Sequence, residues 1–209
     1  MEKIATNLYL HQLPRGKWTN FSWLIKRKAG NYLIACADVT DALGEIEKLG
    51  GVKRVFLTDI HFANAWHGKV ANHFGAALVC HESDAAKVKK RCKATKNESL
   101  GMRNQVDDDF HSMHTPGHAE GGLCYLWEPD GEGTLFTGDF LCATTGGWAV
   151  FCGQAKKKTM SQSLKAVAGL PVARLCPGVS EGKPLPMKEF APRGFSKLVD
   201  DTIAKFCAP

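Results

Sequence analysis

Five short segments of the chain carry most of the residues that could do metal or acid–base chemistry. Each holds histidine, aspartate or a Pro-Gly pair in or after a stretch that predicts a strand or loop; they are residues 33–38 (LIACAD), 58–64 (TDIHFAN), 114–118 (HTPGH), 135–139 (LFTGD) and 176–179 (CPGV). Imidazole and carboxylate groups bind divalent metals, and they can also transfer protons near neutral pH. Because loops at strand ends are held by a rigid sheet, the five segments predict a site at a sheet edge.

The residues that could bind one metal ion are Asp59, His61, His118 and Asp139. Asp59 and His61 are two positions apart, so both side chains can project to one side of a strand end. If all four residues bind, a tetrahedral zinc has no open position and the site is structural; if Asp139 is instead a base, three ligands leave room for a water nucleophile. Iron or manganese with more ligands is a further alternative. A metal-free site, in which the histidines hydrogen-bond to the carboxylates, is also open.

The elements that must position these residues alternate between strands and helices in the middle of the chain, after a strand-rich start. Strands are predicted at residues 4–11, 21–26, 32–37, 54–58, 76–80, 123–127, 134–137 and 172–176, and helices at 38–49, 64–74, 158–170 and 195–206. Ser83 is expected to cap one more helix, and residues 129–133 (PDGEG) predict a hairpin turn. No change in composition marks a linker, so one α/β domain spanning residues 1–209 is predicted.

In order and spacing, the five segments resemble the metallo-β-lactamase superfamily. That family carries T-H-x-H-x-D-H after a strand, then H-T-x-G-H, a strand ending in G-D, and P-G-H; HTPGH and LFTGD are intact here. The resemblance covers roughly residues 4–206. It implies an α/β (α+β) fold, the four-layer αββα sandwich, in which two facing sheets lie between outer helices. It also implies a site at one edge of the sheets that usually holds two metal ions.

Carried over position by position, the resemblance implies that the first metal position is retained. In the family, the first ion uses both histidines of H-x-H and the last histidine of H-T-x-G-H. Those positions hold Asp59, His61 and His118 in this chain, and all three are competent ligands. Asp139 matches the aspartate that bridges the two ions in the family.

The same carry-over implies that the second metal position is degenerate. Its aspartate and two histidines are replaced by Ala63, Asn64 and Val179. Alanine and valine offer no ligand atom, and a neutral amide is a poor ligand for zinc. We therefore expect at most a mononuclear site, unless His67, one helical turn beyond Asn64, acts as a substitute ligand. A surface or packing role is the favoured alternative for His67.

Residues 144–148 (TTGGW) are expected to line the cleft, with packing as the alternative for the tryptophan.

The composition is that of an ordinary globular protein. The chain has 209 residues, of which 44% are hydrophobic and 23% charged, enough for a core without a metal or disulfide staple. It contains no apolar run near the ~18 residues of a transmembrane helix, and residues 1–7 lack the apolar stretch of a signal peptide. The eight cysteines form no C-x-x-C pair and predict reduced, buried thiols. These features predict a cytoplasmic protein with no membrane partner.

The net charge of +6 is mildly basic, and it is concentrated in two runs, at residues 87–96 and 156–158. Such runs are usually solvated surface, so a nucleic-acid partner is not expected.

The first functional hypothesis is a metallo-hydrolase-like enzyme with at most one metal ion. The second is a non-catalytic binding or scaffold relative. A nucleic-acid-processing relative ranks last, because the family's nucleases usually depend on the full histidine set. The small-molecule substrate and the oligomeric state are left open.

Overall fold

A computed structural model describes residues 1–207 of the chain. The strands are β1 (Glu2–Ala5), β2 (Leu8–Arg15), β3 (Trp18–Ile25), β4 (Tyr32–Ala35), β5 (Arg54–Phe56), β6 (Ala77–His81), β7 (Asn97–Leu100), β8 (Arg103–Asp107), β9 (Phe110–His114), β10 (Leu123–Trp127), β11 (Gly133–Gly138), β12 (Cys142–Thr144), β13 (Gly147–Ala149), β14 (Val172–Pro177), β15 (Val179–Glu181) and β16 (Lys188–Glu189). The helices are α1 (Leu43–Lys48), α2 (Ala65–Phe74), α3 (Ala85–Cys92), α4 (Lys157–Ala168) and α5 (Gly194–Phe206).

The strands form two mixed sheets. In the first, the strand order is β13-β12-β15-β3-β4-β5-β6-β7, and β2 also pairs with β3 and carries β1 at its other side. In the second, the order is β16-β14-β11-β10-β9-β8. β5 runs parallel to both of its neighbours, and β11 runs parallel to β14. The carboxyl ends of these parallel strands are where the site is built.

Three buried layers separate the sheets and helices. Aromatic side chains fill the space between the two sheets, and Phe56 of the first sheet lies 5.0 Å from Tyr125 of the second, measured between ring centroids. A second layer packs α1, α2 and α3 against the first sheet, and a third packs α4 and α5 against the second sheet. The order of layers is therefore αββα, as the resemblance implies.

Alternation along the strands explains this arrangement. In β3, Phe21, Trp23 and Ile25 point into the layer between the sheets, whereas Leu24 points into the layer under the helices. A strand that is buried on both faces reads as a continuous apolar run, which is why the predictions for the middle strands lie near their observed bounds.

Two helix predictions were wrong in detail. The helix predicted at residues 38–49 begins only at Leu43, because the carboxylate of Asp38 accepts hydrogen bonds from the backbone N–H and the hydroxyl of Thr40, at 2.9 and 2.8 Å. This local turn competes with helix formation. Ser83 is not a helix cap: it lies inside a short 3₁₀ turn, Glu82–Asp84, and donates its N–H to the ring of His81 at 3.2 Å.

Within the described residues, no helix is long and apolar enough to cross a membrane.

Candidate metal centre

Four side chains from three loops meet at one edge of the two sheets. Asp59 and His61 follow β5, His118 lies between β9 and β10, and Asp139 follows β11 directly. Each residue offers one ligand atom, and these four atoms all lie within 4.8 Å of one another. The structure therefore brings together the four residues that the sequence predicts as ligands of one metal ion.

Hydrogen bonds between the sheets hold the loop after β5 in place. The hydroxyl of Tyr125 donates to the carbonyl of Leu57 at 2.6 Å, and the N–H of Leu123 donates to the carbonyl of Thr58 at 2.7 Å. Both bonds link the second sheet to the residues immediately before Asp59. The Asp59 carboxylate in turn accepts the backbone N–H of His61 at 2.7 Å, which fixes the two side chains relative to each other.

The distances between the ligand atoms suit a single ion. His61 Nδ1 lies 3.0 Å from His118 Nε2 and 3.4 Å from Asp59 Oδ1, and His118 Nε2 lies 3.7 Å from Asp139 Oδ2. A tetrahedral ion with bonds of about 2.0–2.1 Å places its ligand atoms about 3.3–3.4 Å apart. Small side-chain adjustments would thus bring all four atoms into one coordination shell.

A backbone carbonyl fixes the tautomer of the neutral His118 ring. Its Nδ1 lies 2.7 Å from the carbonyl oxygen of Phe151, which can only accept, so Nδ1–H is the donor. In the neutral ring, Nε2 then carries the lone pair and faces the cluster, 3.0 Å from His61 Nδ1. A histidine held in this way by a second partner is the usual arrangement for a metal ligand.

The carboxylate of Asp139 is only partly satisfied by its neighbours. Its Oδ1 is buried and has no hydrogen-bond partner within residues 1–207. Burial, followed by the charge of Asp59, raises the pKa of Asp139 to about 7, although His61 opposes the shift. The hydrogen bond to Asp59 raises the pKa of His61, and burial opposes it. Two carboxylates with an unpaired buried oxygen fit a divalent cation.

The three residues at the positions where the resemblance implies a second metal lie in different surroundings. Val179 borders the cavity above the four ligands, and Asn64 borders the neighbouring cavity. Ala63 is buried in the layer under the helices. Neither alanine nor valine offers a donor atom, so the amide of Asn64 is the one polar side chain at these three positions.

His67 lies outside the cluster. Its side chain is fully buried, its Nδ1 accepts the N–H of Asn64 at 3.3 Å, and its Nε2 donates to the carbonyl of Ala35 at 3.0 Å. Burial lowers the pKa of His67 to about 4. Nδ1 therefore caps the first turn of α2 and Nε2 links α2 to β4, so His67 has a packing role.

An open cavity of about 410 Å³ is lined by three of the four ligands, His61, His118 and Asp139. Its walls include Trp18, Phe151 and Arg15, none of which the sequence singled out. The sequence does contain a signal for Trp18 and Arg15. The two residues flank Gly16-Lys17, a two-residue turn that joins the strands of a long hairpin. Trp148 does not line this cavity; it packs against the layer under α4 and α5 instead.

A glycine allows the end of β11 to lie close against Thr58, the residue before Asp59. Gly138 has φ of +55°, and a Cβ at this position would lie 2.2 Å from Thr58 Oγ1. We expect Gly138→Ala to lower the free energy of unfolding by about 2–4 kcal/mol through strain and overpacking. Urea denaturation of the metal-free protein measures this. Gly169→Ala, where φ is −85° and no atom lies within 4 Å of the added Cβ, is the control and should change little.

Comparisons with known proteins identify the fold of this chain. No family model matches the sequence, and no curated protein matches it significantly. Among solved structures, the DIM-1 metallo-beta-lactamase superposes with a TM-score of 0.71 at 17% identity, covering 96% of each chain. A metallo-beta-lactamase family protein from Thermus thermophilus gives 0.66 at 19% identity, covering 96% of this chain and 79% of that one. An archaeal superfamily protein from Sulfolobus tokodaii gives 0.65 at 15% identity, covering 94% and 85%. The chain thus has the metallo-β-lactamase fold.

Proposed function

We propose that this protein is a hydrolase-like protein that binds one divalent metal ion through Asp59, His61, His118 and Asp139. The observation that carries the proposal is the convergence of the four ligand atoms within 4.8 Å beneath an open cavity. Two imidazoles and two carboxylates suit zinc, and they also suit iron or manganese when further ligands complete a larger coordination shell. When bound, such an ion supplies Lewis acidity and a source of hydroxide at neutral pH.

The chain's own residues supply orientation and proton transfer. The Phe151 carbonyl fixes the ring of His118, and the His61 backbone N–H fixes the carboxylate of Asp59. In the metal-free protein the pKa of Asp139 is about 7, and a bound divalent ion would lower it, so that Asp139 would be ionised and able to accept a proton near neutral pH. If Asp139 stays unbound, it is the residue that would accept a proton in the cavity.

A set of simple substrates tests the enzymatic part of the proposal. Nitrophenyl esters, a thioester and a nitrophenyl phosphodiester would be offered to the protein in the presence of zinc, manganese or iron(II). We expect hydrolysis of at least one ester class to require the metal and to disappear in His118→Ala. The control variant is His73→Ala, because His73 pairs with Glu47 on the surface at 2.7 Å, outside the cluster.

Efficient hydrolysis of β-lactams or thioesters is not expected. These reactions in the family use the second metal position, and that position holds Ala63, Asn64 and Val179 here. We expect turnover of nitrocefin and of an acyl-thioester at least about 1,000-fold below the ~10 per second of a typical enzyme. Spectrophotometric assays with excess zinc measure this, and turnover near the typical value would show that the site works without those ligands.

A non-catalytic binding protein is the second candidate. Ala63 and Val179 favour this candidate, because they stand where the resemblance implies two metal ligands and cannot help to bind a second metal ion. This candidate predicts that the metal binds and that no member of the substrate set is hydrolysed above the rate of the free metal. We also propose a cytoplasmic location, since all eight cysteines are unpaired thiols.

A further inference from the structure

One arginine stands at the boundary between the metal-site cavity and its neighbour. Arg15 lines both the 410 Å³ cavity above the four ligands and a second cavity of about 380 Å³. The second cavity is bordered by Asn64, one of the degenerate positions, and by Asp38. Among the described residues that line either cavity, Arg15 is the only arginine or lysine.

The guanidinium of Arg15 is free to bind a ligand. Within residues 1–207 it makes no ion pair and no side-chain hydrogen bond, and it is exposed. The other cation of the same hairpin tip is already engaged: Lys17 lies 2.9 Å from the carboxylate of Glu181 and faces the ring of Trp18 at 5.6 Å. Arg15 is thus the available positive charge on this side of the site.

An aromatic wall stands next to this charge. Arg15 and Trp18 are directly opposite each other across the two-residue hairpin turn, so their side chains leave the same face of the ribbon. Trp18 meets Phe151 edge-to-face, with ring centroids 5.9 Å apart. A ligand with an apolar body could therefore lie against the two rings while its charged end reaches Arg15.

The net charge of the site indicates which charged group the ligand carries. A divalent ion with two neutral histidines and the carboxylates of Asp59 and Asp139 has no net formal charge, so it does not by itself favour an anion. Arg15 adds one positive charge, and its planar fork matches one carboxylate in a bidentate arrangement. A phosphate dianion would leave one negative charge unbalanced.

We propose that Arg15 binds the carboxylate of a small organic acid whose apolar part contacts Trp18 and Phe151. This assigns a substrate class, monoanionic carboxylates, to the site; it rests on the proposed function, since the same cavity would hold the reacting group over the metal ligands. Arg15 is a specificity-determining residue in this account and takes no part in proton transfer.

Benzoate and benzamide form a matched pair of probes, with the same ring and different charge. Isothermal titration would be carried out with zinc-loaded and with chelator-treated protein. We expect the zinc-loaded form to bind benzoate at least about tenfold more tightly than benzamide, and the chelator-treated form to keep a smaller Arg15-dependent preference, because Asp59 and Asp139 are then not neutralised. Arg15→Gln should weaken benzoate about tenfold and leave benzamide unchanged, whereas Arg15→Lys, which keeps the charge but loses the fork, should be intermediate.

Lys17→Gln is the matched control, because it removes the same charge from the same hairpin tip without lining the cavity. It should leave benzoate affinity unchanged, and equal melting temperatures of the variants would confirm intact folding. Equal losses in Lys17→Gln and Arg15→Gln would overturn the inference, since they would show a diffuse charge effect. Tighter Arg15-dependent binding of phenylphosphonate than of benzoate would overturn the assignment of a carboxylate.

The two forms of the protein separate this inference from the proposed function. Benzoate binding that requires zinc and is insensitive to Arg15→Gln would overturn the inference, because the carboxylate would then be bound by the metal. Benzoate binding that depends on Arg15 in a protein that fails to take up zinc would uphold the inference and contradict the proposed metal site.

Discussion

Asp139→Asn is expected to make the metal-free protein more stable at pH 8, by about 2–4 kcal/mol. The pKa of Asp139 is about 7 in the folded protein and about 3.9 in an unfolded chain. The folded state therefore holds this proton more tightly, and the contribution of Asp139 to the free energy of unfolding decreases as the pH rises from about 4 to 7. Above pH 7 the full cost of the buried charge is present, and asparagine removes it.

Urea denaturation in the presence of a chelator, at pH 4.5 and pH 8, measures this effect. The difference between the variant and the natural protein should be small at pH 4.5 and largest at pH 8. Asp200→Asn, on the exposed face of α5, serves as the control and should be neutral at both values. A variant that is no more stable than the natural protein at pH 8 would show that Asp139 already has a sufficient partner. Excess zinc should reverse the order, because it binds the protein with all four ligands more tightly than the variant with three and therefore stabilises the natural protein more.

His118→Ala is expected to weaken zinc binding by at least about 100-fold. The substitution removes Nε2 from the ligand set and also releases the carbonyl of Phe151. Competition with a chromophoric zinc chelator at pH 7.5 measures the change. His114→Ala is the sharper control, because His114 belongs to the same HTPGH segment but donates to the Glu120 carbonyl and stacks on His81, at 3.9 Å between ring centroids. A loss of similar size in both variants would mean that loop order, rather than ligation, sets the affinity.

The positions of Asp59, His61 and Asp139 could be predicted because they follow strands that the sequence defines well, whereas His118 was identified by the HTPGH segment, since the strand before it was missed. β5 and β11 are short apolar runs, and their carboxyl ends are marked by Asp59 and by the Gly138-Asp139 pair. Strands β7 and β8 were missed for the opposite reason. They are polar and exposed or half-buried, so they lack the alternation by which a strand is recognised.

The cavity walls could not be predicted from local patterns. Arg15 and Trp18 reach the site because β2 and β3 extend well beyond β4 and fold over the cluster, which depends on the pairing register. Phe151 reaches it because its carbonyl accepts a hydrogen bond from His118, a contact between residues 33 positions apart. His67 shows the same limit: helical spacing placed it near Asn64, but a buried bond to Ala35 takes it away from the ligands.

Zinc titration of the purified, untagged protein tests the central claim most directly. Calorimetry, with the metal content confirmed after gel filtration, should show one ion per chain, and the affinity should fall as the pH is lowered, because the imidazole and carboxylate ligands must lose their protons. Val179→His alone should leave the stoichiometry at one, since Ala63 and Asn64 still provide no carboxylate or imidazole. Two tightly bound ions per natural chain, or none in a correctly folded protein, would contradict a single metal centre formed by Asp59, His61, His118 and Asp139.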